Sequence, residues 1–185
     1  MYQWGAQSSV IRDLFTYGRE QAAKIGDENV FDFSIGNPTV PAPECIKDAV
    51  TEIMETRTAV AVHGYTAAAG DPVVRKGLAD YMNKTFNAGV EAGNFYMTCG
   101  AAASLTITLK ALVESPDDEI VVIAPYFPEY TAFIKNSGAE KVVVPPDMES
   151  FQIPFDALEQ AITSKTRALI INSPNNPSGV VYSED

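Results

Sequence analysis

One histidine, two cysteines, one tryptophan, and 13 basic residues against 24 acidic ones mark what this 185-residue sequence has little of. Each scarcity excludes something. With His63 as its one histidine, the chain cannot build a multi-histidine metal centre, and a histidine-based catalytic triad has a single candidate, so no metal site is expected. Cys45 and Cys99 stand in neither CxxC nor metal-ligand spacing and read as free thiols of a reducing compartment. A net charge of −11 leaves no basic surface to neutralise phosphates, which argues against a nucleic-acid partner. No apolar run approaches the roughly 20 residues of a membrane span, and Met1 to Gly5 show no basic-then-apolar leader. The expectation is a cytoplasmic protein with no membrane partner. At 46% apolar and 20% charged, it has ample material for a core.

Along the chain, residues 8–25 read as an amphipathic helix capped by Ser8 or Ser9, with Val10, Leu14, Tyr17 or Gly18, and Ile25 near helical spacing. Phe31 to Ser34 reads as a short strand. The Gly36 to Pro43 stretch is too rich in glycine and proline for regular structure. A helix is expected from Pro43 or Glu44 to about Arg57, with Ile46, Ala49, Val50, Ile53 and Met54 on one face. Val60 to Gly70 has no clear period. Asp71-Pro72 is a helix start that leads to about Phe86, with Val74, Leu78, Tyr81 and Met82 facing inward.

Strands and helices then alternate. Strands are expected over 94–98, 120–124, 141–144 and 167–172, with helices over 101–113, 128–136 and 155–163. This order implies an α/β sheet with parallel strands. Ser183-Glu184-Asp185 reads as the start of a further helix, so the sheet is expected to be unfinished and the chain to be a fragment of a longer protein or one completed by another chain.

Four segments could carry chemistry. Asn172 to Gly179 (Asn-Ser-Pro-Asn-Asn-Pro-Ser-Gly) follows a buried strand, where α/β sheets bind ligands, and its amides can donate to an anionic oxygen; the alternative is a tight turn. Thr98 to Ser104 passes from a strand end into a helix start, where small residues let an anion reach the first N–H groups; the alternative is a helix start set by packing. Pro125 to Tyr130 offers an aromatic face to a planar group, or contributes core aromatics. Tyr65 has a hydroxyl that can reach a phosphate, or is structural.

The spacing of Gly36-Asn37-Pro38, Tyr65 with Gly70, Gly100-Ala101-Ala102, Pro125-Tyr126-Phe127-Pro128 and Ser173 to Gly179 resembles the class I/II aminotransferases. These are pyridoxal-phosphate (PLP) enzymes of fold type I, and the resemblance is greatest to their aspartate-aminotransferase-like branch. It implies that residues 1–45 form an arm and part of a small domain, and 46–185 the first half of a large cofactor domain. It implies that Gly36 meets the substrate carboxylate and that Tyr65 reaches the cofactor phosphate of the other subunit of a homodimer. Gly100, Ala101 and Ala102 would hold the phosphate through the helix start, Phe127 would stack on the pyridine ring, and Asn176 would hydrogen-bond its phenolic oxygen.

Many relatives carry a hydroxyl or longer polar side chain near Ala102, so phosphate binding here would lean on backbone. The family's cofactor-bearing lysine is expected downstream of Asp185, none of the eight lysines here sits at its motif, and no catalytic residue is assigned within the chain. The implied activity is transamination between an amino acid and a 2-oxo acid. The alternatives are another fold-type I reaction, such as a C–S lyase, or a non-catalytic sensor domain.

Overall fold

The structure, a computed structural model, describes residues 10–34, 36 and 40–183. Its chain divides into two compact units, Met1–Tyr65 and Thr66–Asp185.

The second unit is organised by the apolar run that becomes β1 (Glu119–Ile123). Ile120, Val121 and Val122 are fully buried. Successive side chains of a strand point to opposite faces, so two cores form. Ile120 and Val122 join Leu109, Tyr130, Ile134 and Ala139, while Val121 and Ile123 join Val144 and Leu158. Burying side chains of this size stabilises by about 1.5–3 kcal/mol each. β1 lies between β2 (Glu140–Val144) and β3 (Thr166–Ile170), both parallel to it, in the order β2-β1-β3. The α/β class with a parallel sheet is as the alternation implied.

Helices α5 (Ala101–Leu112) and α6 (Tyr130–Ser137) supply the first core, and α7 (Phe155–Ala161) the second. Before them, α4 (Pro72–Phe86) begins as its sequence dictates: Asp71 accepts hydrogen bonds from Val73 N at 2.7 Å and Val74 N at 3.3 Å, with Pro72 in the first turn.

The first unit holds α1 (Val10–Ile25), α2 (Glu44–Thr56) and α3 (Ala59–His63). The helix α3 falls in the stretch without clear period. It is local: Thr58 Oγ1 accepts from Ala61 N at 3.3 Å, and Gly64 N closes onto Val60 O.

Several expectations are corrected. Phe31 to Ser34 forms no strand; both phenylalanines are exposed, and Asp32 instead accepts Ser34 N at 2.8 Å in a local turn. Residues 94–98 form no ladder either. A 3-10 turn occupies Ala92–Asn94, Phe95 N closes it onto Ala92 O, and beyond it Met97 N reaches Ala69 O without starting a ladder. A strand exists only where a neighbour completes its hydrogen bonds, and that neighbour is missing among the described residues. On α4, Val74, Leu78 and Tyr81 are exposed rather than inward, and Ala79 is its buried residue. The apolar stripe of α2 (Ile46, Val50, Ile53, Met54) is likewise exposed. The caps expected at Ser8 or Ser9, residues 37–39 of the expected loop, and Glu184-Asp185 lie outside the described residues; Ser183 has no regular structure. Among the described residues no helix is long and apolar enough to cross a membrane.

Candidate functional site

Two loops leave the carboxyl ends of adjacent strands. One runs from Ala124 to Glu129 after β1, the other from Asn172 to Gly179 after β3. This is where open α/β sheets leave room for ligands. Phe127 in the first loop is half-buried, packs on the same core cluster as Leu105 of α5, and meets the Tyr130 ring edge-on at 5.6 Å and 82°. Helix α5, the aromatic loop and β3 therefore border one core.

The start of α5 is open. Its N-cap, Gly100, sits at φ 93°, has no side chain to cap the helix, and a Cβ added there would meet nothing within 4 Å. The first N–H groups of a helix have no partner within it. Two hydroxyls nearby could have capped them and do not. Thr98 Oγ1 donates to Gly100 O at 3.1 Å and lies 2.6 Å from Ser104 Oγ, while Ser104 N donates to the same carbonyl. Both hydroxyls hold the carbonyl side of the turn, and Ala101 and Ala102 are exposed. Uncapped N–H groups and the helix dipole favour an anion there.

In the second loop the two adjacent asparagines have opposite fates. Asn175 is buried, and its Nδ2 donates to Pro125 O at 2.9 Å and to Ser178 Oγ at 2.8 Å. Asn176 is exposed; its backbone N–H donates to Asn172 Oδ1 at 2.9 Å, and its own amide makes no hydrogen bond among the described residues. The sequence motif marked the pair without saying which member faced inward.

Beside the aromatic loop stands an arrangement that sequence reading missed. Lys141 Nζ donates to Tyr126 Oη at 2.6 Å and to Thr131 Oγ1 at 2.9 Å. Tyr126 in turn lies parallel to Tyr130, their ring centres 6.4 Å apart. Burial pushes the Tyr126 phenol up, but the hydrogen bonds from Lys141 and Thr131 and the lysine charge outweigh it, and it ends below the usual phenol range. Tyr130, with burial alone acting on it, is pushed up. Lysine and tyrosine 15 positions apart give no local signal; the strand register sets Lys141 opposite Ile120, and it meets Tyr126 beside Thr131 of the intervening helix α6.

Gly36 and Tyr65 belong to the first unit. Gly36 has open space where a Cβ would stand, and Tyr65 is 108% exposed, so its ring has no cover there. Of the predicted site residues, the second unit holds the Phe127 and Asn176 loops, joined by the bond from Asn175 Nδ2 to Pro125 O, and the start of α5 at Gly100, Ala101 and Ala102, a helix that borders the same core as Phe127 through Leu105. Among the described residues no cluster of three or more His, Cys, Asp or Glu could hold a metal ion.

The family model described as "Aminotransferase class I and II" matches residues 28–185. The chain is 30% identical over 173 residues to an asparagine–oxo-acid transaminase of Streptococcus mutans, covering 92% of this chain and 43% of that protein. It is 32% identical over 151 residues to a probable aspartate/prephenate aminotransferase of Thermus aquaticus, covering 81% of this chain and 38% of the other. Among solved structures, an amino transferase from Eubacterium rectale superposes with a TM-score of 0.96 at 54% identity, over 100% of this chain and 46% of that one. The chain therefore spans less than half the length of these relatives.

Proposed function

This chain belongs to the class I and II aminotransferases, and on that premise we propose that it forms part of a PLP-dependent enzyme that exchanges an amino group between an amino acid and a 2-oxo acid. What supports the proposal is an uncapped helix start, a half-buried aromatic ring packed on the same core as that helix, and an unused amide on the loop that Asn175 ties to the aromatic one. These residues fit PLP. Its phosphate is an anion for Ala101 and Ala102, its ring is planar and suits Phe127, and its phenolic oxygen accepts from Asn176.

When bound, the cofactor withdraws electrons from the substrate's α-carbon, which the protein itself cannot do. The chain's residues would orient it. Phe127 limits tilt of the ring from one face. The Asn176 amide favours negative charge on the phenolic oxygen. Gly36 presents a backbone N–H that a substrate carboxylate can meet without side-chain obstruction. Tyr65, uncovered in its own unit, would serve the phosphate of a second subunit, which makes the working unit a homodimer.

The test uses the complete protein. Purified with PLP, an amino acid and a 2-oxo acid, it is expected to form the swapped pair in equal amounts. Release of a thiol, a 2-oxo acid and ammonia from a sulfur amino acid, without amino-group exchange, would assign it to the lyases. Failure to bind PLP at all would overturn the cofactor reading.

A further inference from the structure

Resting on that reading, we infer that Asn175 is a positioning residue that sets the ring-stacking loop and the asparagine loop relative to each other. Its burial is the first argument: at 7% exposure it is one of three buried polar residues among those described. A buried amide is kept where its hydrogen bonds are made. Its Nδ2 divides its two hydrogens between Pro125 O at 2.9 Å and Ser178 Oγ at 2.8 Å. The orientation of the amide follows from the partner, because a proline carbonyl can only accept.

The two bonds do different things. Closure of the 175–180 loop is already made by backbone: Asn175 N donates to Val180 O, and Gly179 N donates to Asn175 O, each at 2.8 Å. The Ser178 bond adds to that closure. The Pro125 bond adds nothing to it and instead spans 50 residues, to the loop beyond the neighbouring strand. Pro125 lies two residues before Phe127, and Asn175 lies one before Asn176. The bond therefore joins the loops at the points from which the ring face and the amide diverge. Two cofactor-facing groups carried on separate loops drift independently unless something couples them, and displacements near 1 Å are enough to cost a site much of its effect.

The experiment compares Asn175→Ala and the isosteric Asn175→Asp with Ser178→Ala in the complete protein. Each is titrated with PLP as the apo-protein, and the pH midpoint of the bound cofactor's visible band is measured. Loss of the donor to Pro125 is expected to weaken PLP binding by about tenfold or more and to move the midpoint, since the Asn176 amide is displaced with its loop. Ser178→Ala is expected to stay within about twofold of wild type in affinity, with its midpoint unmoved. Wild-type-like binding and midpoint in both Asn175 variants would overturn the inference. So would equal damage from Ser178→Ala, which would reduce Asn175 to loop closure, or recovery of both Asn175 variants only as unfolded protein, which would make it a residue of the fold. Failure of the wild type to bind PLP would count against the proposed function instead.

Discussion

Arg167 Nε donates to Asp118 Oδ1 at 2.9 Å across an irregularity in the β1–β3 pairing. The β1–β3 register pairs Glu119 with Thr166 and Ile120 with Ala168, so Arg167 is skipped. The bulge frees its side chain to reach Asp118, which is 4% exposed, and Glu114 at 3.3 Å. The other Asp118 oxygen accepts from Glu114 N at 2.7 Å and Ser115 N at 2.9 Å.

These contacts predict acid sensitivity. The backbone N–H groups of Glu114 and Ser115, then the Arg167 side chain, hold the Asp118 carboxyl below the usual aspartate range. A carboxyl depressed in the fold contributes stability that is present above its unfolded pKa, near 3.9, and is lost as pH falls through the folded value. Asp118→Asn is therefore expected to lower Tm at pH 7, with the gap from wild type narrowing as the pH is taken below about 4. Melting curves across that range check it; a gap that widens in acid would contradict it.

Glycine 70 predicts two substitutions of opposite sign. It is buried at φ 96°, and a Cβ there would overlap Cβ and Cγ of Met97, whose N–H is bonded to Ala69. Gly70→Ala adds left-handed strain to overpacking and is expected to destabilise by about 2–4 kcal/mol. Gly77, inside α4, has nothing within 4 Å of an added Cβ, so Gly77→Ala is expected to stabilise by about 0.5–1 kcal/mol. Denaturant unfolding of both variants measures the difference.

The Lys141–Tyr126 pair predicts an anomalous phenol. In a spectrophotometric titration one tyrosine is expected to ionise below the rest, because its hydroxyl is held by Lys141 and Thr131 despite partial burial. Lys141→Met removes that charge and donor, leaves the burial, and is expected to abolish the early phase. Its persistence in the variant would assign the phase to another tyrosine.

Asn176 is expected to separate cofactor effects from fold. Its amide makes no bond among the described residues, so Asn176→Ala should leave the apo-protein's stability within about 0.5 kcal/mol of wild type. Removing a donor to the phenolic oxygen should nonetheless weaken PLP binding and move the visible band's midpoint to higher pH. An unchanged midpoint would remove Asn176 from the site.

Local signals were the legible ones. Asp71-Pro72 fixed a helix start because the cap is built from neighbours, and the Ile120–Ala124 run disclosed a strand covered on both faces. Long-range complements were not legible. Phe31 to Ser34 alternates like a strand, and Asn94 to Thr98 carries the strand formers Phe95, Tyr96 and Thr98, yet no ladder forms in either, because strand formation depends on a partner that neither pattern names. The stripes on α2 and α4 are periodic for the same reason that buried stripes are, and periodicity does not say what covers them. At the site, the motif located the asparagine loop, but the division of labour between Asn175 and Asn176 depends on the Pro125 carbonyl 50 residues away.

The exposure of Tyr65 leads to a test that uses only residues of this chain. If its hydroxyl serves the site of the other subunit, a Tyr65→Phe subunit retains its own Asn176 but supplies a defective tyrosine to its partner. An Asn176→Ala subunit has the reverse defects. In a mixed dimer across which Tyr65 acts, one site then receives both intact groups and the other receives neither, so half of the wild-type sites are restored. Were Tyr65 to act within its own subunit, each site would keep one defect and none would be restored. Differently tagged subunits, purified as verified mixed dimers and assayed for PLP affinity and amino-group exchange, distinguish the two arrangements. Biphasic PLP binding with one wild-type-like site per dimer is expected. Uniformly weakened binding, or a protein that stays monomeric with PLP bound, would place Tyr65 in its own subunit's site or outside any site.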